Sequence, residues 1–185
     1  MPEVRIISGK YKGYTIVDPA LDSTRVSKER LREGLFSAIN SEIKGATVLD
    51  LFAGSGSFGF EAYSRGAKKV IMVDSNFACL NAMKKTLTKM KVGGSDVDLV
   101  YGSYPFVLSL YNSAFDYVFL DPPYGEFKFL DIIKDLFRHG VVDGGSTIVI
   151  ESLEHFNHDS ITTKSIRTYK YGINHVTILQ GVQFK

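Results

Sequence analysis

The sequence predicts an α/β protein built on a mostly parallel seven-stranded sheet with an antiparallel C-terminal strand, preceded by a small N-terminal β-hairpin. Three observations predict it. Apolar β-rich runs alternate with helical patterns from Thr47 to Glu151, a glycine-rich turn follows the first of these runs, and the last two runs have no helix between them. A strand–helix–strand repeat calls for parallel pairing, because each crossover lays its helix on a face of the sheet. A chain of 185 residues, 44% hydrophobic and 23% charged, has room for one such core.

The elements follow in order. Val4-Arg5-Ile6-Ile7 and Tyr14-Thr15-Ile16-Val17 flank Ser8-Gly9 and Gly13 and read as the hairpin. Ser27 is the expected N-cap of a helix carrying Leu31, Leu35, Phe36 and Ile39 at helical spacing, closed by Gly45. Residues 1–26 are thus expected to form an extension and lid, and 27–185 the main domain. Strands are predicted over Thr47–Phe52, Lys69–Asp74, Val97–Tyr101, Phe115–Leu120 and Thr147–Glu151, then Ser165–Tyr169 and His175–Leu179. Helices are predicted over Phe58–Arg65, after an Asn76 cap, near Pro105–Leu110 and over Phe129–Phe137.

Composition narrows the function. No apolar run approaches the length of a membrane span, the start carries no signal-peptide pattern, and a single cysteine, Cys79, excludes an internal disulfide. With four scattered histidines no metal is expected, and the cytoplasm is the expected compartment. Net charge is only +2, but Arg5, Lys10, Lys12, Arg25, Lys28, Arg30 and Arg32 outnumber the acids of the same segment. That is either a phosphate-contacting face or an ordinary solvated surface.

Ala53-Gly54-Ser55-Gly56-Ser57-Phe58-Gly59 satisfies G-x-G-x-x-G, and Asp74 ends the next strand 20 residues after Gly54, the spacing of an acid that accepts from ribose hydroxyls. Asp50, at the C-terminal edge of the preceding strand, would repel a pyrophosphate. It would favour S-adenosylmethionine, which has no phosphate and carries an ammonium and a sulfonium; its plainer role is to cap the next turn. Phe52, Ala53, Gly54, Ser55 and Gly56 are the loop residues expected against that cofactor, and Asp121 is expected to touch it as well.

Phe115–Leu120 delivers Asp121-Pro122-Pro123-Tyr124-Gly125 to the sheet edge where open α/β sheets bind ligands. The prolines fix the backbone and supply no N–H. An exocyclic base amine is a poor nucleophile because its lone pair is delocalised. Held by Asp121 and the Pro122 carbonyl, it can pyramidalise toward an activated methyl, while Tyr124 offers a stacking ring. The alternative is a proline-stiffened turn. Cys79, in the helix after Asp74, reads as a small core residue rather than a nucleophile, and Tyr63, Tyr101 and Tyr104 as packing.

The opening Arg5-Ile6-Ile7-Ser8-Gly9-Lys10-Tyr11-Lys12-Gly13, the stretch Arg25 to Phe36, Leu49 to Gly56, Ser64-Arg65-Gly66-Ala67 and Phe119 to Tyr124 resemble the RsmD-type bacterial 16S rRNA (guanine-N2) methyltransferases over nearly the whole chain. Tyr171-Gly172-Ile173 and Val176-Thr177-Ile178 look like the Gram-positive branch of that family. The resemblance implies a Rossmann-like class I methyltransferase fold and methyl transfer from S-adenosylmethionine to N2 of one guanine of 16S rRNA in an assembling 30S subunit; a monomer is expected. It implies that Arg25 closes over the cofactor and that Ser103 occupies the adenine-contacting position, which is usually an aspartate. It also places Val26 where a proline is usual. Arg5, Lys10, Lys12, Arg30 and Arg32 are the expected RNA contacts. The Asp-Pro-Pro-Tyr geometry alone would equally serve adenine N6 or a glutamine amide, and a non-catalytic RNA-binding protein on this fold is the third reading.

Overall fold

In a computed structural model, residues 4–19, 25–39 and 41–185 are described, residues 25–28 by their backbone alone. A hairpin of β1 (Val4–Arg5) and β2 (Thr15–Ile16) comes first, and then α1 (Arg25–Ala38). The alternating region runs β3 (Thr47–Asp50), α2 (Ser57–Ser64), β4 (Lys69–Asp74), α3 (Phe77–Met90), β5 (Val97–Tyr101), a 3₁₀ turn (Phe106–Leu110), β6 (Tyr117–Leu120), α4 (Phe129–Arg138) and β7 (Thr147–Ser152). It closes with β8 (Ile161–Thr162), β9 (Ser165–Tyr171), β10 (Asn174–Gln180) and β11 (Gln183–Phe184).

Seven strands form one sheet in the order β5-β4-β3-β6-β7-β10-β9, with β3 to β7 parallel and β10 antiparallel to both neighbours. This is the expected Rossmann-like arrangement. The chain starts in the middle at β3, works outward to β5, then returns to β6 on the other side. The order reverses between β3 and β6, and a crevice opens at the carboxyl ends of those two strands. β3, β6 and β7 are buried on both faces or nearly so, which explains their continuous apolar runs. Two apolar layers cover the sheet, one under α1, α2 and α3, the other around α4.

Several boundaries differ from expectation. α1 begins at Arg25, two residues ahead of the expected cap Ser27, so it crosses the expected boundary at residue 26. Its opening positions carry N–H groups that need no intrahelical acceptor, so Val26 is tolerated there as a proline would be. β3 ends at Asp50, because the chain turns toward Gly54, whose φ is +55°. β6 starts at Tyr117, since the Phe115 N–H donates to the Val141 carbonyl outside the sheet. The two-residue pair β8 and β11 has no counterpart in the sequence pattern, although Ile161 belongs to the core. Asn76 caps α3 as expected, accepting from the Ala78 N–H at 2.8 Å.

The hairpin is fastened to α2 by hydrogen bonds as well as by packing. Buried Glu61 (0% exposed) accepts from the backbone N–H groups of Ile7 at 2.8 Å and Ser8 at 3.1 Å. The Ser64 hydroxyl accepts from the Tyr11 N–H at 2.9 Å, and the Ser64 carbonyl from the Lys10 N–H at 2.8 Å. Gly9 is required at this contact. Its φ is +85°, and a Cβ there would lie 1.9 Å from the Ser64 carbonyl oxygen.

Candidate active site

A cavity of about 690 Å³ opens at the carboxyl ends of β3, β4, β6 and β7, within the size range of small-molecule sites. One end is walled by Phe52, Ala53, Gly54, Ser55, Asp74 and Ser103. At the other end stand Asp121, Pro122, Pro123 and Tyr124, with Arg32 and Glu151. The loop and the Asp-Pro-Pro-Tyr segment thus meet across one crevice, as expected from the sequence.

The glycine loop is held by carboxylates. Gly54 N–H donates to Asp74 Oδ2 at 2.8 Å, Gly56 N–H to the Ala53 carbonyl at 2.7 Å, and Gly59 N–H to Asp50 Oδ2 at 3.0 Å. The other oxygen of Asp74 accepts from the Asn76 N–H at 2.8 Å. Gly56 has a φ of +77° and does not line the cavity; it shapes the turn that starts α2. Gly59 lets α2 pack on β4, since a Cβ there would lie 2.5 Å from Met72 Sδ.

Asp50 departs from its expected place at the cavity mouth. Its side chain is 1% exposed beneath the loop, and it caps α2 through Gly59. The plainer of its two sequence readings is the one the geometry shows. Burial pushes its carboxyl up to about 7; the Gly59 hydrogen bond opposes this, and the nearby Asp121 and Asp74 add to it. Asp50 Oδ1 has no hydrogen-bond partner among the described residues.

Arg32 departs furthest from its expected role as an RNA contact. It is 3% exposed on the inner face of α1, donates through Nη2 to the Arg5 carbonyl at 2.6 Å, and has Nε 3.9 Å from Glu61 Oε2. Burial pulls its guanidinium below its usual range, against the field of Glu61. Spacing held the clue: Arg32 lies four residues before Phe36 and next to Leu31, on the apolar stripe. Arg5, Lys10, Lys12 and Arg30 are exposed as expected. The side chain of Arg25 lies outside the described residues.

Tyr124 lines the cavity and is 51% exposed. Cys79 is buried in α3, its thiol pushed up to about 11 first by burial and then by Asp74, which suits a packing residue. Tyr63 stacks on Tyr11, while Tyr104 packs on Phe52 and Phe127 and donates to Asp135 at 2.6 Å. Tyr101 is exposed, contrary to its expected packing role, because β5 is an edge strand; its ring meets only Phe77 edge-on among the ring contacts of the described residues. The described residues contain no metal-binding group of three or more His, Cys, Asp or Glu, and no helix long and apolar enough to cross a membrane. Sequence reasoning does not single out Glu61 or Glu151. Glu61 had a readable signal, an acid amid the apolar run Phe58-Gly59-Phe60 and Ala62 of α2 and four before Arg65.

Residues 4–180 match the model of the family described as conserved hypothetical protein 95. The chain belongs to that family. It is 40% identical over 126 residues to Ribosomal RNA small subunit methyltransferase D of Haemophilus influenzae, covering 66% of this chain and 64% of that protein. To the protein of the same name from Escherichia coli strain K12 it is 31% identical over 150 residues, 81% of this chain and 75% of that one. A solved Escherichia coli structure, described as a candidate methyltransferase and called yhhF, superposes with a TM-score of 0.81 at 27% identity, covering 100% and 99% of the two chains. The crevice of this family member therefore sits on a methyltransferase fold.

Proposed function

We propose that this protein transfers a methyl group from S-adenosylmethionine to the exocyclic N2 of a guanine in 16S rRNA of the small ribosomal subunit. The observation that carries the reading is the meeting of a carboxylate-held glycine loop with Asp121-Pro122-Pro123-Tyr124 in one cavity. A dinucleotide would need loop N–H groups for its pyrophosphate, and here Gly54 and Gly59 already donate to Asp74 and Asp50. Asp74 and Asp121 on the cavity wall, joined by Asp50 as it ionises around pH 7, oppose phosphate and favour a cationic ligand. These residues fit a phosphate-free, positively charged cofactor. The names of the relatives, ribosomal RNA small subunit methyltransferase D, support the rRNA substrate.

When bound, S-adenosylmethionine supplies a methyl group activated by its sulfonium. The chain's own work is alignment. Asp74, with two of its lone pairs used by Gly54 and Asn76, retains acceptor capacity for ribose hydroxyls, and the Ser103 hydroxyl sits at the same end for the base of the cofactor. At the other end Asp121 and the Pro122 carbonyl accept hydrogen bonds from the two N–H groups of the target amine and turn its lone pair toward the methyl. The one proton that the methylated nitrogen must shed passes along its hydrogen bond to the Asp121 carboxylate and on to water. Tyr124 stacks the base, worth about 1–3 kcal/mol. Phe52 and Phe58 help to wall the space with carbon. Exposed Arg5, Lys10, Lys12 and Arg30 receive the RNA backbone; Arg32 belongs to the cavity wall and is withdrawn from that set. Arg25 is the residue whose closing role rests on the family resemblance.

The test is to offer S-adenosylmethionine labelled in its methyl group with free 16S rRNA, 30S particles, duplex DNA and ribosomal proteins. Label in rRNA, recovered as N2-methylguanosine after digestion, is the expected result. Label in DNA or protein but not rRNA contradicts the proposal.

A further inference from the structure

We propose that Glu151 is the residue that selects guanine over adenine, by accepting the N1–H of the target base; this rests on the function proposed above. The Asp-Pro-Pro-Tyr segment holds an amine and is blind to the rest of the base. What distinguishes the two purines is the atom next to that amine on the Watson–Crick edge. In guanine N2 adjoins N1, which carries a hydrogen. In adenine N6 adjoins N1, which carries a lone pair. A site with an acceptor beside the amine clamp therefore takes guanine and repels adenine.

The structure puts such an acceptor there. β6 and β7 run parallel with Leu120 opposite Ile150, so Asp121, just past the end of β6, and Glu151, still within β7, come next in register on neighbouring strands. Both line the cavity, as do Pro122 and Tyr124. Glu151 is 2% exposed, and Asn174 of β10, also buried, donates Nδ2 to its Oε1 at 3.3 Å. A carboxylate is acceptor-only when ionised, and Asn174 holds it in one orientation at the cavity wall. A buried, oriented acceptor one strand from the amine clamp is what reading N1–H requires. Burial also makes a mismatch costly, since the carboxylate would face a lone pair with no water to separate them.

The test uses the full protein and small-subunit particles rebuilt on ligated rRNA, with the mapped target guanine either kept or replaced by 2-aminopurine. That analogue keeps the N2 amine and carries a lone pair at N1. Wild-type enzyme is expected to prefer guanine by about 100-fold in kcat/KM, the order that an unmatched buried acceptor costs. In Glu151→Gln the side-chain amide still accepts from Asn174 through its oxygen, and its NH2 can donate to the N1 lone pair. The preference is expected to drop at least tenfold while the melting temperature holds, which a merely structural role for Glu151 would not produce. An unchanged preference in that variant overturns the inference. Equal turnover of both bases by the wild type overturns it as well, without relying on any variant. Wild-type protein that methylates neither particle overturns instead the function on which the inference rests.

Discussion

Two buried carboxylates on either side of the glycine loop, Glu61 and Asp50, organise this molecule in opposite ways. Glu61, in α2, is surrounded by donors: two backbone N–H groups of the hairpin, the Arg65 Nε at 2.7 Å and the Arg32 guanidinium. Asp50, at the end of β3, has one N–H and two further acids nearby. The first fastens a segment in place. The second is a weakly compensated carboxyl beneath the glycine loop, pushed up to about 7 and charged only as pH rises through that value. Charge burial thus serves attachment on one side of α2 and leaves a titratable carboxyl on the other, and each can be altered separately.

The largest effect is expected at Glu61. Removing one partner of a buried ionic cluster leaves the others uncompensated, so Glu61→Ala should lose about 3–5 kcal/mol in denaturant unfolding. Limited proteolysis should then cut first in residues 4–19. Next comes a glycine pair that separates contact from conformation. Gly9→Ala meets the Ser64 carbonyl and should cost more than about 2 kcal/mol, while Gly13→Ala, at the same φ of +85° but with nothing within 4 Å, should cost about 1 kcal/mol.

Asp50 is predicted to act through pH. Its folded pKa, about 7, lies above its unfolded value near 3.8, so the folded state holds a proton that the unfolded state releases. Its contribution is therefore present below about pH 4 and lost as pH rises through 7, where the wild type carries an uncompensated buried charge. Asp50→Asn should flatten that part of the stability profile, by an amount of the order of a few kcal/mol between about pH 4 and 7. A profile unchanged by the substitution would mean that Asp50 is not the group titrating. The smallest effect is on the outer face of the hairpin and α1. Reversing Lys10, Lys12 and Arg30 should weaken RNA binding with little loss of stability, lowering the salt slope by roughly 0.7–0.9 for each phosphate that is no longer neutralised.

The same contrast shows what the sequence could reveal. The parallel sheet was legible because its strands are continuous apolar runs bounded by glycine, and the antiparallel end because no helix separates β9 from β10. The cavity's two motifs were legible because a loop and a proline pair act through backbone geometry, which local sequence encodes. The places of Asp50, Arg32 and Glu151 were not, because their roles depend on which face of an element turns inward and on what lies across the cavity. Arg32 was within reach from helical spacing; Glu151 is an ordinary strand residue until β6 and β7 are paired.

Asp121 is predicted to align the accepting amine rather than to hold the cofactor. Single-turnover methyl transfer to small-subunit particles by wild type and Asp121→Ala, with S-adenosylmethionine binding measured by calorimetry on the same preparations, tests it most directly. The variant is expected to bind cofactor within about tenfold of wild type while transfer falls by roughly 10²–10³-fold or more, the order seen when an aligning hydrogen-bond group is removed. Wild-type transfer by Asp121→Ala would contradict it.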